Sequence, residues 1–129
     1  DGRLVYVYNF LGNEPEQVFT SALPSSGLHS VGVEFVKEKM TEKNETLGTM
    51  KLYIDGKMVQ QQPFRTQSGR YSLSGEGLCV GRDSGDPVSR QYTSKFDFAG
   101  GSIIKVIYDV GNDSYQNLEN EFKVKMAKE

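Results

Sequence analysis

Apolar and polar positions alternate with a period of two over much of this chain, the spacing that β-strands impose on side chains. Residues 3–10 read Arg-Leu-Val-Tyr-Val-Tyr-Asn-Phe, with β-branched and aromatic groups falling on both faces. That composition predicts a strand covered on both sides, ended by Gly12, Asn13 and Pro15. A weaker strand is expected over 17–20, broken by Pro24, Ser25 and Gly27. From His29 the alternation is clean: Val31, Val33 and Phe35 share one face, Ser30, Gly32 and Glu34 the other. This predicts a half-buried strand with one wet side. Residues 37–48 are polar and charged and are expected to form a solvated loop. A hairpin is predicted next, with strands over 50–54 and 57–61 joined by Asp55-Gly56. Asp-Gly tolerates the positive φ angles of a type I′ turn, whose twist matches the flanking strands.

Further on, residues 71–73 and 78–80 are short strand candidates. Residues 81–98 form a long segment rich in Gly, Asp, Ser and Pro that ends in aromatics. Residues 103–110 predict another strong strand, with Ile104, Val106, Tyr108 and Val110 on one face. At the end the period changes. Asp113 or Ser114 is suited to cap a short C-terminal helix, along which Tyr115, Leu118, Phe122 and Met126 recur at helical spacing. Its stripe is expected to pack on the sheet or on a neighbouring domain. The expectation is therefore an all-β, antiparallel, two-sheet sandwich over 1–129, as a single domain with a short terminal helix. No repeat at solenoid or propeller period interrupts it.

Composition agrees with this class. The 129 residues include 14 Gly and no Trp, with Tyr and Phe as the aromatics, a mix that favours short strands and turns. A length of this order buries one core without disulfides or metals. Fifteen basic and 17 acidic residues leave a net charge of -2, so no excess of positive charge points to nucleic acid or an anionic membrane as partner. No run approaches the ~18–20 apolar residues of a membrane-spanning helix. Cys79 is the single cysteine, which rules out an intrachain disulfide and leaves the compartment open.

Asp1-Gly2 stands directly before the first strand, as the second half of a hairpin turn would. The expectation is of a fragment whose partner strand lay upstream. The edge strand that begins at Leu4 and ends at Phe10 would then be covered by another segment or self-associate with a second copy.

Three blocks in order carry a resemblance. The first is Tyr6-Val7-Tyr8-Asn9-Phe10-Leu11-Gly12. The second is Gly48-Thr49-Met50-Lys51-Leu52-Tyr53-Ile54-Asp55-Gly56-Lys57. The third runs from Gly81-Arg82-Asp83-Ser84-Gly85-Asp86-Pro87-Val88-Ser89 through Tyr92, Phe96, Phe98 and Gly100 into Ile103-Ile104-Lys105-Val106. Together they resemble the C-terminal part of bacterial-type arylsulfatases, over about residues 3 to 110. The resemblance implies a concanavalin-A/laminin-G-like jelly roll that acts as a non-catalytic accessory module, with the catalytic sulfatase domain of the same chain as its partner. It also implies that catalysis sits in that other domain, which uses a formylglycine and a divalent cation, usually calcium. The formylglycine signature Cys/Ser-x-Pro/Ala-x-Arg is absent: Cys79-Val80-Gly81-Arg82 lacks it, as does every Ser. No catalytic residue, cofactor or metal ligand is therefore expected in this chain.

The residues that stand out have competing readings. Arg82, Asp83, Ser84 and Asp86 form the candidate binding group, as a loop that docks on the catalytic domain or its substrate. The plainer reading is that Asp and Ser bond the backbone of their own loop, with Gly85 and Pro87 shaping it and Arg82 paired to Asp83, Asp86 or Asp97. An oxygen-rich calcium site is a third reading, although the spacing is not that of an EF-hand. Tyr6, Tyr8, Tyr53, Tyr71 and Tyr92 fill the core and rims, or else form the stacking platform of a carbohydrate-binding, lectin-like module. Cys79 reads as a small buried hydrophobe and His29 as a strand-edge or turn residue, in preference to a nucleophile and its base. An independent glycanase would need paired carboxylates across a cleft, and no strand here carries such a pair.

Overall fold

The computed structural model describes residues 2–10, 13–67 and 78–111. Its described strands are, in chain order, β1 (Arg3–Phe10), β2 (Asn13–Ala22), β3 (Val31–Met40), β4 (Glu45–Ile54), β5 (Lys57–Gln67), β6 (Arg82–Asp83) and β7 (Phe96–Asp97). The described residues are all-β, without a helix. β1 pairs with β2, β3 to β5 form a three-stranded sheet in the order β3-β4-β5, and β6 pairs with β7. The β3–β4, β4–β5 and β6–β7 pairings are antiparallel. The chain divides into two compact units. Of the described residues, the first holds 2–6, 18–67 and 110–111; the second holds 7–10, 13–17 and 78–109. Strands β1 and β2 therefore contribute to both.

In the first unit, β4 is the organising strand. Thr46, Gly48, Met50 and Leu52 alternate inward, as a pleated strand requires. The register sets Phe35 opposite Met50, Phe64 opposite Gly48 and Gln62 opposite Met50, so these side chains share one face. β2 lies over that face. The Phe19 ring sits 6.2 Å from Phe64, which in turn sits 5.2 Å from Phe35, and Tyr6 of β1 meets Phe19 edge-on at 5.8 Å. Polar ties flank the aromatic group. The Thr20 amide donates to Gln60 Oε1 at 2.9 Å, and Gln62 Nε2 donates to the Val18 carbonyl at 3.4 Å. Among the described residues the buried apolar side chains are Phe19, Met50, Leu52 and Phe64.

The predicted Asp55-Gly56 hairpin is present. Both turn residues have positive φ, 52° and 78°, the type I′ signature. Other expectations need correction. The solvated loop over 37–48 is mostly strand: β3 runs to Met40 and β4 starts at Glu45. A short turn joins them, in which the Thr41 hydroxyl accepts the Glu45 amide at 3.2 Å and Asn44 takes φ 60°. Lys37, Glu38 and Lys39 carry charge because β3 is an edge strand, and a register shift between Lys37 and Lys39 marks a bulge at Glu38. Both are devices that discourage an edge from pairing further. β2 and β5 are longer than expected and contain Pro15 and Pro63, as strands at a sheet edge permit.

The two faces of β3 are also not as expected. Val31 and Val33 are exposed, whereas Glu34 is half-buried. Its carboxylate accepts the Tyr53 hydroxyl at 2.8 Å and lies 3.9 Å from Lys51 Nζ. Residues 78–80 and 103–110 form no strand among the described residues. The latter run carries exposed apolar groups, with Ile104 at 76% and Val110 at 98%. The expected strand over 71–73 and the expected terminal helix lie outside the described residues.

Gly48 marks a tight point in this packing. A Cβ placed there would overlap the Val36 carbonyl oxygen and approach the Phe35 ring to 2.8 Å. Gly48→Ala is expected to cost at least ~1–3 kcal/mol through overpacking. Phe64→Ala, which opens a cavity in the aromatic group, should cost about 3–5 kcal/mol. Gln61→Ala, on an exposed position, should stay within about 0.5 kcal/mol of wild type. Urea unfolding of the three variants checks this order.

Candidate functional site

The candidate group Arg82, Asp83, Ser84 and Asp86 lies in the second unit, at the base and first bend of the loop over 81–98. Two short strands close that loop, with Arg82 opposite Asp97 and Asp83 opposite Phe96. A hydrogen bond from the Phe98 amide to the Gly81 carbonyl at 2.9 Å extends the closure. Gly81 takes φ 80°, a conformation that favours glycine, so the chain turns into β6 without strain.

Inside the loop, Tyr92 is the central tie. Its hydroxyl donates to Asp83 Oδ2 and accepts the Val88 amide at 2.9 Å. Its ring packs on Phe96 at 5.0 Å. Burial pushes the phenol above its ordinary range, and the bond to the Asp83 carboxylate pushes the same way. Next along the chain, Ser89 is buried; its hydroxyl donates to Glu16 Oε1 at 3.0 Å and accepts the Gln91 amide at 3.2 Å. Asn9 Nδ2 donates to the Val88 carbonyl at 2.8 Å. β1 and β2 thus hold the loop through Asn9 and Glu16.

The four candidates are therefore placed differently. Asp83 is taken up by Tyr92, and Ser84 Oγ lies 3.7 Å from Cys79 Sγ. Arg82 and Asp86 are exposed. The ion pairs among the described residues do not join Arg82 to Asp83, Asp86 or Asp97. The partner of Asp83 is a phenol, which sequence reasoning missed because it looked for opposite charge. Tyr92 lies nine residues from Asp83, a spacing with no periodic signature. Ser89 and Glu16 were missed for a similar reason, being 73 residues apart.

The remaining candidates separate. Cys79 is half-buried, not fully buried. Both ring nitrogens of His29 are engaged elsewhere, at Asp55 and at the Ser25 carbonyl. Tyr6, Tyr8, Tyr53 and Tyr92 are half-buried, and Tyr71 lies outside the described residues. Among the described residues, no three His, Cys, Asp or Glu side chains gather as a metal site would require. Comparison with protein-family models, with curated proteins and with solved structures returns no match.

The geometry makes Tyr92 a structural tie. Tyr92→Phe should cost about 1–2 kcal/mol, since a half-exposed carboxylate and an amide lose their shared partner. With a folded phenol titrating above the unfolded one, the stabilisation holds below the ordinary phenol range. It declines as pH rises through the folded value. Ultraviolet titration should show a late-titrating tyrosine component that shrinks by one group in Tyr92→Phe.

Proposed function

We propose that this chain is a non-catalytic accessory module of an arylsulfatase, a concanavalin-A/laminin-G-like jelly roll that packs against a catalytic sulfatase domain. Three ordered blocks of sequence, over residues 6–12, 48–57 and 81–106, carry the reading. The surface of the second unit supports it. Leu78, Val80, Phe96, Phe98, Ile104 and Tyr108 are all exposed. Large apolar side chains left exposed in such number are what a protein contact would cover. The docking face on this reading would draw on these groups, with Arg82 and Asp86 as exposed polar residues of the same unit. The formylglycine and calcium of such an enzyme belong to the catalytic domain. The half-buried tyrosines, of which Tyr53 and Tyr92 are hydrogen-bonded, give no comparable support to a sugar-stacking platform.

Two measurements test the proposal. The isolated chain is expected to give no turnover of an aryl sulfate above the rate in buffer. In the source gene, a Cys/Ser-x-Pro/Ala-x-Arg signature is expected several hundred codons (roughly, for a catalytic domain of that size) upstream of Asp1. Genuine turnover, or an upstream reading frame without that signature, removes the proposal.

A further inference from the structure

His29 makes two close contacts that no neutral imidazole satisfies together. Its Nδ1 lies 2.7 Å from Asp55 Oδ2, and its Nε2 lies 2.6 Å from the Ser25 carbonyl oxygen. A carboxylate and a carbonyl only accept hydrogen bonds, whereas a neutral imidazole has one donor and one acceptor nitrogen. In either neutral tautomer one contact would set two lone pairs against each other. An imidazolium donates to both.

The carboxylate is held in its charged form. Asp55 Oδ1 accepts the Ser30 amide at 3.0 Å, and the Asp55 carboxyl sits below its ordinary value, chiefly through the bond from His29 and then the Ser30 amide. Lys57 of β5 adds a favourable charge. The loop over 23–30 contributes no other charged group. A second tie joins the same elements without the ring, because the Asp55 amide donates to the Ser30 carbonyl at 2.8 Å.

We infer that His29 and Asp55 form a proton-gated clamp that pins the β2–β3 loop to the β4–β5 turn while the imidazole carries both protons. Loss of one proton breaks the Ser25 or the Asp55 contact. The Ser30 ties remain, so Ser30 becomes the hinge and residues 25–29 the released arm. That arm carries the exposed Leu28 and includes Gly27 at φ 126°, a conformation that favours glycine.

The direction of the response follows. The hydrogen bond to Asp55 raises His29 above its ordinary value, the Ser25 carbonyl adds to this, and burial opposes it. A group raised on folding stabilises fully below its unfolded value, about 6.5 for His. That contribution is lost as pH climbs through the folded value. Asp55, being lowered, loses its contribution only as pH falls through its depressed value. The clamp is thus closed in mild acid and opens on the alkaline side.

His29 is the only histidine of the chain, so its nuclear magnetic resonance titration is unambiguous. With the full chain, both ring nitrogens should be protonated in mild acid and the midpoint should lie above that of free imidazole side chains. Backbone order parameters over 25–29 should fall across the same midpoint, from about 0.85 toward about 0.6, while Ser30 and Asp55 stay ordered. Asp55→Asn keeps a residue suited to the type I′ turn and removes the charge. It should bring the midpoint down toward the ordinary value and abolish the step in order. His29→Gln should leave the loop mobile at every pH. A midpoint at or below the ordinary value overturns the clamp. So does an Asp55→Asn midpoint equal to wild type, or a loop whose order ignores pH.

Discussion

Phe64 sits where three strands meet. Its ring lies against Phe19 of β2 and Phe35 of β3, and it stands opposite Gly48, whose missing side chain leaves room for the close approach. The constraint is volume: one face of a three-stranded sheet has to be filled by a few large rings, because the positions beside them are Gln60, Gln62 and Thr46. Glutamine on an inward face is tolerable only when its amide is bonded. Here the amides of Gln60 and Gln62 bond the backbone of β2. The same side chains that dilute the core therefore fix the strand that covers it. Removing the rings would loosen the polar ties, and removing the ties would let the rings slide, so the two sets act as one cooperative unit.

Among its described residues, the second unit is organised by hydrogen bonds more than by burial. Tyr92, Asp83, Ser89, Glu16 and Asn9 link distant parts of the chain, while Phe96 and Phe98 remain exposed. Polar ties of this kind define a conformation through directionality but contribute little net free energy each, ~0.5–1.5 kcal/mol for neutral pairs. They suit a loop whose large apolar groups, Phe96 and Phe98, stay largely exposed. That division accounts for a segment rich in Gly, Ser and Asp that nevertheless adopts a defined path.

What the sequence made legible was local. Asp55-Gly56 between two apolar runs fixed a hairpin because the turn chemistry lies in two adjacent residues. The long β3–β4 pairing was not legible at its far end, since Lys37 to Lys39 and Glu45 carry no apolar alternation. There the strands persist because the backbone ladder continues past the core. Face assignment on β3 failed for a different reason. Alternation shows that Val31, Val33 and Phe35 share a side, but what covers that side is a property of β2, which reaches Phe35 through Phe64 and leaves Val31 and Val33 in water. The site suffered the same limit. Asp83, Tyr92, Ser89 and Glu16 all belong to types noticed early or passed over as ordinary, and only the fold brings them together.

Residues 103–110 pose the sharpest physical question, and the answer bears on function. Their sequence has the β-branched and aromatic density of a buried strand, yet Ile104, Tyr108 and Val110 face water and the run joins no strand among the described residues. Local preference and tertiary placement disagree, and in a protein that folds well such conflicts mark places with a further role. An extended apolar segment gains both hydrogen-bond partners and burial in one event if it adds to a sheet. A module that packs against a larger domain supplies that setting, whereas a free-standing binder of soluble sugars would have to keep the same groups in water at a standing cost. On the accessory-module reading proposed above, this exposed run is where such a contact would form.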